Sequence, residues 1–450
     1  MKYTPGTYTL AQLKKAIDEV EIGLTNRYLT DGAITDAGEK RMWREEVEKA
    51  SFGRQTVMYD DLSYPSVMCA SPLFTEADVL PGGRNYPHLA FIVNGATKPV
   101  LYLSKYQNII VGTGATMRAL SLKGVDPKVD TITHDVAITA CKQKGTGWHC
   151  MTNAEYAAAA LLCKARGFMP RGNNSYGKDY AITIEKGVPS HTYESSETKY
   201  IGRVLTGSGP VAWTSDGTPF GVYDLNGNVY EWTPGMRLNE GEIQILPDNN
   251  AADNTKDLSA TSALWRAILQ DGTLVHTKWV AATAYALDTY ISVGGLVYKA
   301  TIGGASGAVE PTWPATTVGE TVADGDVVWT YVADQTLKYD AEADTPSGIQ
   351  INTVFDHTKT DDTTYLNKTF ETVAAVPGVT VPNLMKLLAL APIDSSHGSD
   401  GLYARNNGER CALRGGYWND TSSAGVFSIH LNYGRSSADS NIGFRSAFVG

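Results

Sequence analysis

The sequence predicts an α+β fold from three features. Two stretches near the N-terminus repeat apolar residues at helical spacing, an alanine-rich segment follows Met151, and the C-terminal region alternates apolar and polar residues as a strand does. With 450 residues and 42% hydrophobic content, the chain has room for two or three folded units. The net charge of −10, without a basic tail or stripe, argues against nucleic acid as the main partner. No stretch approaches the roughly 20 apolar residues of a membrane span, so no membrane insertion is expected. Met1 to Leu10 does not read as a signal peptide.

Residues 1–54 carry nine basic and nine acidic side chains, against five charged residues in the last forty. Leu10, Leu13, Ile17, Val20 and Leu24 fall on one helical stripe behind a Thr9 cap. A second helix is expected from about Asp36 to Ala50, with Met42 and Val47 inward. A stripe of this width needs a partner surface, so 1–88 is either a packed helical subdomain or, the reading preferred, a helical attachment region and a route to homo-oligomers. Leu89–Asn94 and Val100–Val111 read as strands, and Asp135–Lys142 and Ala154–Lys164 as helices, the latter capped by Thr152 or Asn153. In Gly221–Trp232, the residues Asp224, Asn226, Gly227 and Asn228 make a turn among large apolar side chains. Asn228 and Glu231 there are expected to satisfy buried backbone groups.

Residues 262–336 change character, with short strands, Gly-rich turns and spaced aromatics that include Trp279, Tyr298, Trp313 and Trp329. This predicts a small all-β module inserted in the larger domain. Its aromatics either form a mini-core or stack on sugar rings, and the core reading is preferred because so small a unit has little else to bury. The five cysteines, Cys69, Cys141, Cys150, Cys163 and Cys411, are expected to be buried free thiols. Cys141 and Cys150 could instead pair, or Cys150 could join His149 at a metal, although neither spacing is a recognised ligand pattern.

From Phe427 to Leu431 one face carries Phe427, Ile429 and Leu431, and the other Ser428, His430 and, beyond the strand, Asn432. The first row is expected to be core and the second a display face that tolerates substitution. Short polar residues flank it on both sides: Asn419, Asp420 and Ser423 before, Ser437, Asp439 and Ser440 after. From Asn419 onward there is no Lys, Glu, Gln, Met or Trp. The codon AAC itself encodes Asn, and Asp, Ser, His and Tyr are each reached from it by changing one adenine, whereas the five absent types cannot be reached by changing its adenines. The segment therefore reads as a region diversified from Asn-rich template codons.

The motifs RGGYW (Arg414–Trp418), AGVF (Ala424–Phe427) and NIGFR (Asn441–Arg445) resemble the variable region of diversity-generating retroelement target proteins. GVYDLNGNVYEW (Gly221–Trp232) is similar to the GLYDMxGNVWEW core of the same fold, and MTNAEYAAAA (Met151–Ala160) to its helix start. FGRQTVMYDDLSYPSVMCASPLF (Phe52–Phe74) resembles, more loosely, phage tail proteins. The resemblance implies a C-type lectin fold of the formylglycine-generating-enzyme type over 89–450, with a variable region at about 411–450. It implies a receptor-binding display protein on a virion, as in a phage tail, or on a host cell surface. The implied partner is a bacterial cell-surface protein or glycan.

On this basis the variable ligand-binding residues are Tyr417, Asn419, Asp420, Ser423, Ser428, His430, Asn432, Tyr433, Ser437, Asp439 and Ser440, with Arg414, Trp418 and Arg445 structural. Trp418 is out of reach of adenine changes from AAC, so it belongs to a constant floor. Two alternatives remain: a metal-dependent oxidase of the formylglycine-generating type, and a lectin-like carbohydrate binder. Enzymes of that fold use a cysteine pair after the RGG motif or a histidine cluster, and here no cysteine follows Cys411 and only His430 follows it. No enzyme activity and no cofactor are therefore expected. Calcium could be held by Asp and Asn oxygens, but no loop spacing singles out a site.

Overall fold

The computed structural model describes residues 8–195, 197–293, 296–314, 317–333, 335–342, 347–354 and 365–450. Helix Leu10–Asp31 starts at a reciprocal cap, in which Thr9 Oγ1 accepts from Gln12 N and Gln12 Oε1 accepts from Thr9 N. Helix Ala37–Ser51 is capped by Asp36, whose carboxylate accepts from Glu39 N, and it ends where Phe52 turns left-handed. Leu13, Ile17, Leu24 and Val47 face inward as the spacing predicts. Leu10 and Met42 do not: both are nearly half exposed, because they lie at the margin of the stripe.

The boundary expected at residue 88 does not separate two folding units. Ile17, Leu24 and Val47 pack in one cluster with Tyr106, Val204, Trp213 and Tyr223. Strands Gln55–Tyr59 and Pro65–Pro72 are one side of a five-stranded sheet that continues through Val100–Ser104, Ser446–Phe448 and Trp148–Cys150. The end of the chain thus pairs with strands from its first third.

Two strand expectations are corrected. Leu89–Phe91 forms a turn of 3₁₀ helix before the short strand Ile92–Val93. Val100–Val111 splits into Val100–Ser104 and Ile109–Val111, which lie in different sheets, because the buried Lys105–Asn108 segment between them bends the chain away.

Helices His134–Lys142 and Asn153–Ala165 form as expected, the second behind a capping box of Thr152 and Glu155. The large curled sheet has, among the described residues, the strand Tyr230–Asn239 near its middle. Antiparallel to it runs Glu409–Gly415, followed by Gly425–Leu431, Gly401–Ala404 and Leu366–Thr369. Ile442–Phe444 pairs in parallel with Tyr230–Trp232. Helices and sheets together make the fold α+β.

In the insert, Tyr285, Ile291, Tyr298, Trp329 and Tyr331 form a small core against which Trp279 and Trp313 are partly buried. The aromatics pack on one another, with Tyr298 and Trp313 rings 4.6 Å apart. All five cysteines are free and buried.

Candidate functional site

Three fixed constellations hold the C-terminal segment. Arg445 is fully buried between strands Ile442–Phe444 and Ser446–Phe448. Its Nε and Nη2 donate to the Glu231 carboxylate at 2.6 Å, and further N–H groups reach Ser104 O and Tyr223 O. Because the two strands belong to different sheets, this ion pair joins the sheets at the point where the chain crosses. Arg414 donates twice to Asn153 Oδ1, at 3.0 and 2.7 Å, and also to Leu388 O and Ala389 O. It is buried without a carboxylate partner among the described residues, and burial lowers its pKa to about 10.

Asn228 is the third anchor. Its Oδ1 accepts from Val204 N and Asn173 Nδ2, and its Nδ2 donates to Gln107 Oε1. Gln107 in turn donates to Val229 O and Glu231 Oε1. The turn beside Asn228 requires glycine: Gly227 has φ +78°, and a Cβ there would stand 2.2 Å from Asn173 O.

After Arg414 the chain turns at Gly415 and Gly416, where a Cβ on Gly416 would come 2.5 Å from that of Ala424. The turn sends Trp418 inward, against Val129 and Val229, and leaves Tyr417 half-buried at the surface. Asp420 closes the loop by accepting from Tyr417 N at 3.1 Å.

These turns, the strand Gly425–Leu431 and the loop after it enclose a cleft of about 680 Å³. Tyr417, Asp420, His430, Asn432, Tyr433 and Ser437 all line it. The remaining predicted residues lie elsewhere. Asn419, Asp439 and Ser440 sit on the outer loops, and Ser423 flanks the rim, within hydrogen-bonding reach of Tyr403.

Ser428 corrects the expected display face: it is fully buried, and its Oγ has no hydrogen-bond partner among the described residues. His430 is half-buried, and Asn432 only 9% exposed. The alternation itself holds, with Phe427, Ile429 and Leu431 in the main core. The opposite face is covered over Ser428 and opens only at His430, so it forms the floor of a recess. A two-residue period separates the two faces and does not reveal which part of either is covered.

The cleft also uses residues outside the C-terminal segment: Tyr230, Tyr365, Tyr403, Arg405 and Arg410. Tyr230 was legible only as apolar scaffold. Tyr365 and Tyr403 carried no sequence signal, because strand order alone brings Gly401–Ala404 beside Gly425–Leu431. The rings form a continuous set, with His430 4.8 Å from Tyr403, 5.0 Å from Tyr433 and 5.2 Å from Tyr230. Tyr230 is 5.3 Å from Tyr417.

Burial pushes the Asp420 carboxyl up to about 7, against hydrogen bonds from the Tyr230 hydroxyl and Tyr417 N–H that favour its charged form. Burial, reinforced by the charge of Arg405, pushes His430 down to about 3, so it is neutral at physiological pH. His430 Nδ1, Asn432 Oδ1 and Asn441 Oδ1 have no hydrogen-bond partner among the described residues. Among those residues, no three His, Cys, Asp or Glu side chains gather into a metal-holding group.

Comparison with known proteins finds no matching family model and no matching curated protein. Among solved structures, the chain is similar to one named Major Tropism Determinant U1 Variant, at 12% identity and a TM-score of 0.24. The match covers 85% of this chain and 63% of that one, so the chain spans less than two thirds of its length.

Proposed function

We propose that this chain is a ligand-binding display protein, the receptor-binding protein of a phage or prophage, which recognises a bacterial cell-surface protein or glycan. In this reading its fold is a C-type lectin fold of the formylglycine-generating type. Its region 411–450 is diversified by adenine mutagenesis, and it acts by binding, without catalysis or a required cofactor.

The observation that carries the reading is the convergence of six adenine-reachable positions on one cleft, whose floor and anchors include side chains that changing the adenines of AAC does not produce. Trp418 and Glu231 are of that second kind. Three unpaired polar atoms and a ring of tyrosines suit a recognition surface, since aromatic rings give large contact area for little lost entropy.

Two experiments test this. Sequencing the DNA beside the gene should find a near-identical repeat that differs at adenines, next to a reverse transcriptase gene. Labelled protein should also be assayed for binding to intact cells of a panel of bacterial strains. On a strain that binds, Tyr417→Ala or Tyr433→Ala is expected to weaken binding by about 2 kcal/mol, roughly thirtyfold, with Ser440→Ala near neutral. If Trp313→Ala and Tyr298→Ala carry the loss while the C-terminal tyrosines carry none, recognition resides in the insert and the reading fails.

A further inference from the structure

We propose that Glu21 and Lys105 are a self-modifying pair, whose side chains join through an amide bond and so tie the first helix covalently to the domain. The inference is independent of the reading of the cleft.

Both side chains are fully buried, and Lys105 Nζ lies 2.8 Å from one carboxylate oxygen of Glu21 and 3.0 Å from the other. These are the distances of the pair before reaction, and they set the amine beside the carboxyl carbon. The main chain holds each partner in place. Glu21 sits in the middle of helix Leu10–Asp31, while Lys105 N donates to Val67 O at 3.0 Å and Lys105 O accepts from Tyr223 N at 2.9 Å. Groups fixed in this way react as though at an effective concentration on the order of 10⁵ M or more, which offsets the resistance of an amine and an acid to condensing in water.

The neighbours supply the rest of the chemistry. The Tyr106 hydroxyl donates to Glu21 Oε2 at 2.5 Å, and Lys123 Nζ donates to the Tyr106 oxygen at 3.4 Å. As Lys105 Nζ forms its bond to Glu21 Cδ, negative charge develops on Oε2, where the Tyr106 hydroxyl, polarised by Lys123, already points. Nζ starts with three protons, keeps one as the amide N–H and passes two to Oε1. Oε1 leaves as water when its bond to Cδ breaks, and Oε2 stays as the amide oxygen. A cation and an anion become a neutral amide, and no further reactant is needed.

The bond removes two buried charges without stranding a third. Asp18, one turn before Glu21, pairs with Lys14 at 2.5 Å and with Lys123 at 2.9 Å, so both lysines keep a partner. The Tyr106 and Tyr223 rings, 5.8 Å apart, flank Lys105 Nζ at 5.4 and 5.8 Å. The product links positions 84 residues apart, and closing a loop of that length restricts the unfolded chain as a disulfide does. In a chain whose five cysteines are all free, it is a crosslink that no reductant opens.

The test is mass spectrometry of the full-length protein unfolded in denaturant. The native chain is expected to weigh one water less than its sequence requires, and a protease digest to contain a branched peptide that carries both Glu21 and Lys105. Lys105→Arg and Glu21→Ala should each restore the full mass. In samples taken at intervals after synthesis, Tyr106→Phe should slow the loss of water at least tenfold. A native chain at its full sequence mass overturns the proposal. So does a loss of water without the branched peptide, since an aspartate cyclised on its own backbone gives the same mass. Loss at the native rate in Tyr106→Phe overturns the role given to that hydroxyl.

Discussion

At the scale of single residues, the C-terminal segment divides by burial more sharply than by sequence. Ser428 is of a type that adenine mutagenesis produces, yet it is fully buried, and its Oγ makes no hydrogen bond with the described residues. Removing that hydroxyl leaves no partner unpaired, so Ser428→Ala is expected to change stability by less than about 1 kcal/mol. Ser428→Tyr, also one adenine from AAC, must overpack the site and should cost about 3 kcal/mol or more. Denaturant melts of the two variants check this, and equal stability of both would mean that the position is open.

Asp420 supplies a pH signature. Its folded pKa, about 7, lies above the ordinary carboxyl value of roughly 3.9, so the folded state holds the proton more tightly than the unfolded one. The stabilisation is fully present below the unfolded value and is lost as pH rises through about 7. Melting temperature plotted from pH 4 to 8 should therefore fall less in Asp420→Asn than in the native chain. His430 works in the opposite sense. Its folded pKa of about 3 lies below the ordinary 6.5, so its contribution is present above the unfolded value and is lost as pH falls towards 3.

At the scale of elements, the insert behaves as a satellite with its own core. Trp329 is fully buried and donates from Nε1 to Asp324, which also accepts from Trp279. Trp329→Ala is expected to cost the insert about 3 to 5 kcal/mol. Among the described residues, strand Tyr290–Val293 joins the large sheet at its far end from the cleft strands by one parallel bridge between His276 and Ile291, with Ser292 Oγ donating to Glu242 and Val297 packed on Ala267, Leu269 and Val275. Hydrogen exchange should accordingly rise across residues 284–331 while the strand Gly425–Leu431 keeps its protection. Loss of protection in both would mean that the insert and the cleft unfold together.

At the scale of the whole molecule, the first helix is bound into the domain by buried charge. Glu21 and Lys105 are both fully buried, with Lys105 Nζ 2.8 Å from one carboxylate oxygen and the Tyr106 hydroxyl 2.5 Å from the other. Lys123 lies beside them, on Asp18 at 2.9 Å, and burial lowers its pKa to about 8. Removing one member of a buried pair strands its partner, so Glu21→Ala should destabilise the protein by about 3 to 5 kcal/mol. A chemical melt measures it. A change below 1 kcal/mol would mean that the helix is not held through this pair.

What the sequence determined by itself was local. Helix caps such as Thr9 and Thr152, the inward row Phe427, Ile429 and Leu431, and the turn at Gly227 follow from propensity, periodicity and backbone sterics, which act over a few residues. The likeness of the RGG and NIGFR motifs to a known family was legible for the same reason: such motifs are contiguous. Tertiary structure alone decided which polar residues share a cleft, because that depends on strand order. The pairing of Gly401–Ala404 with Gly425–Leu431 brings in Tyr403, and the crossing at Arg445 fixes the strand that carries Tyr230. It also decided that Ser428 is covered and His430 is not, since a period of two separates the faces of a strand but cannot say what lies above either one.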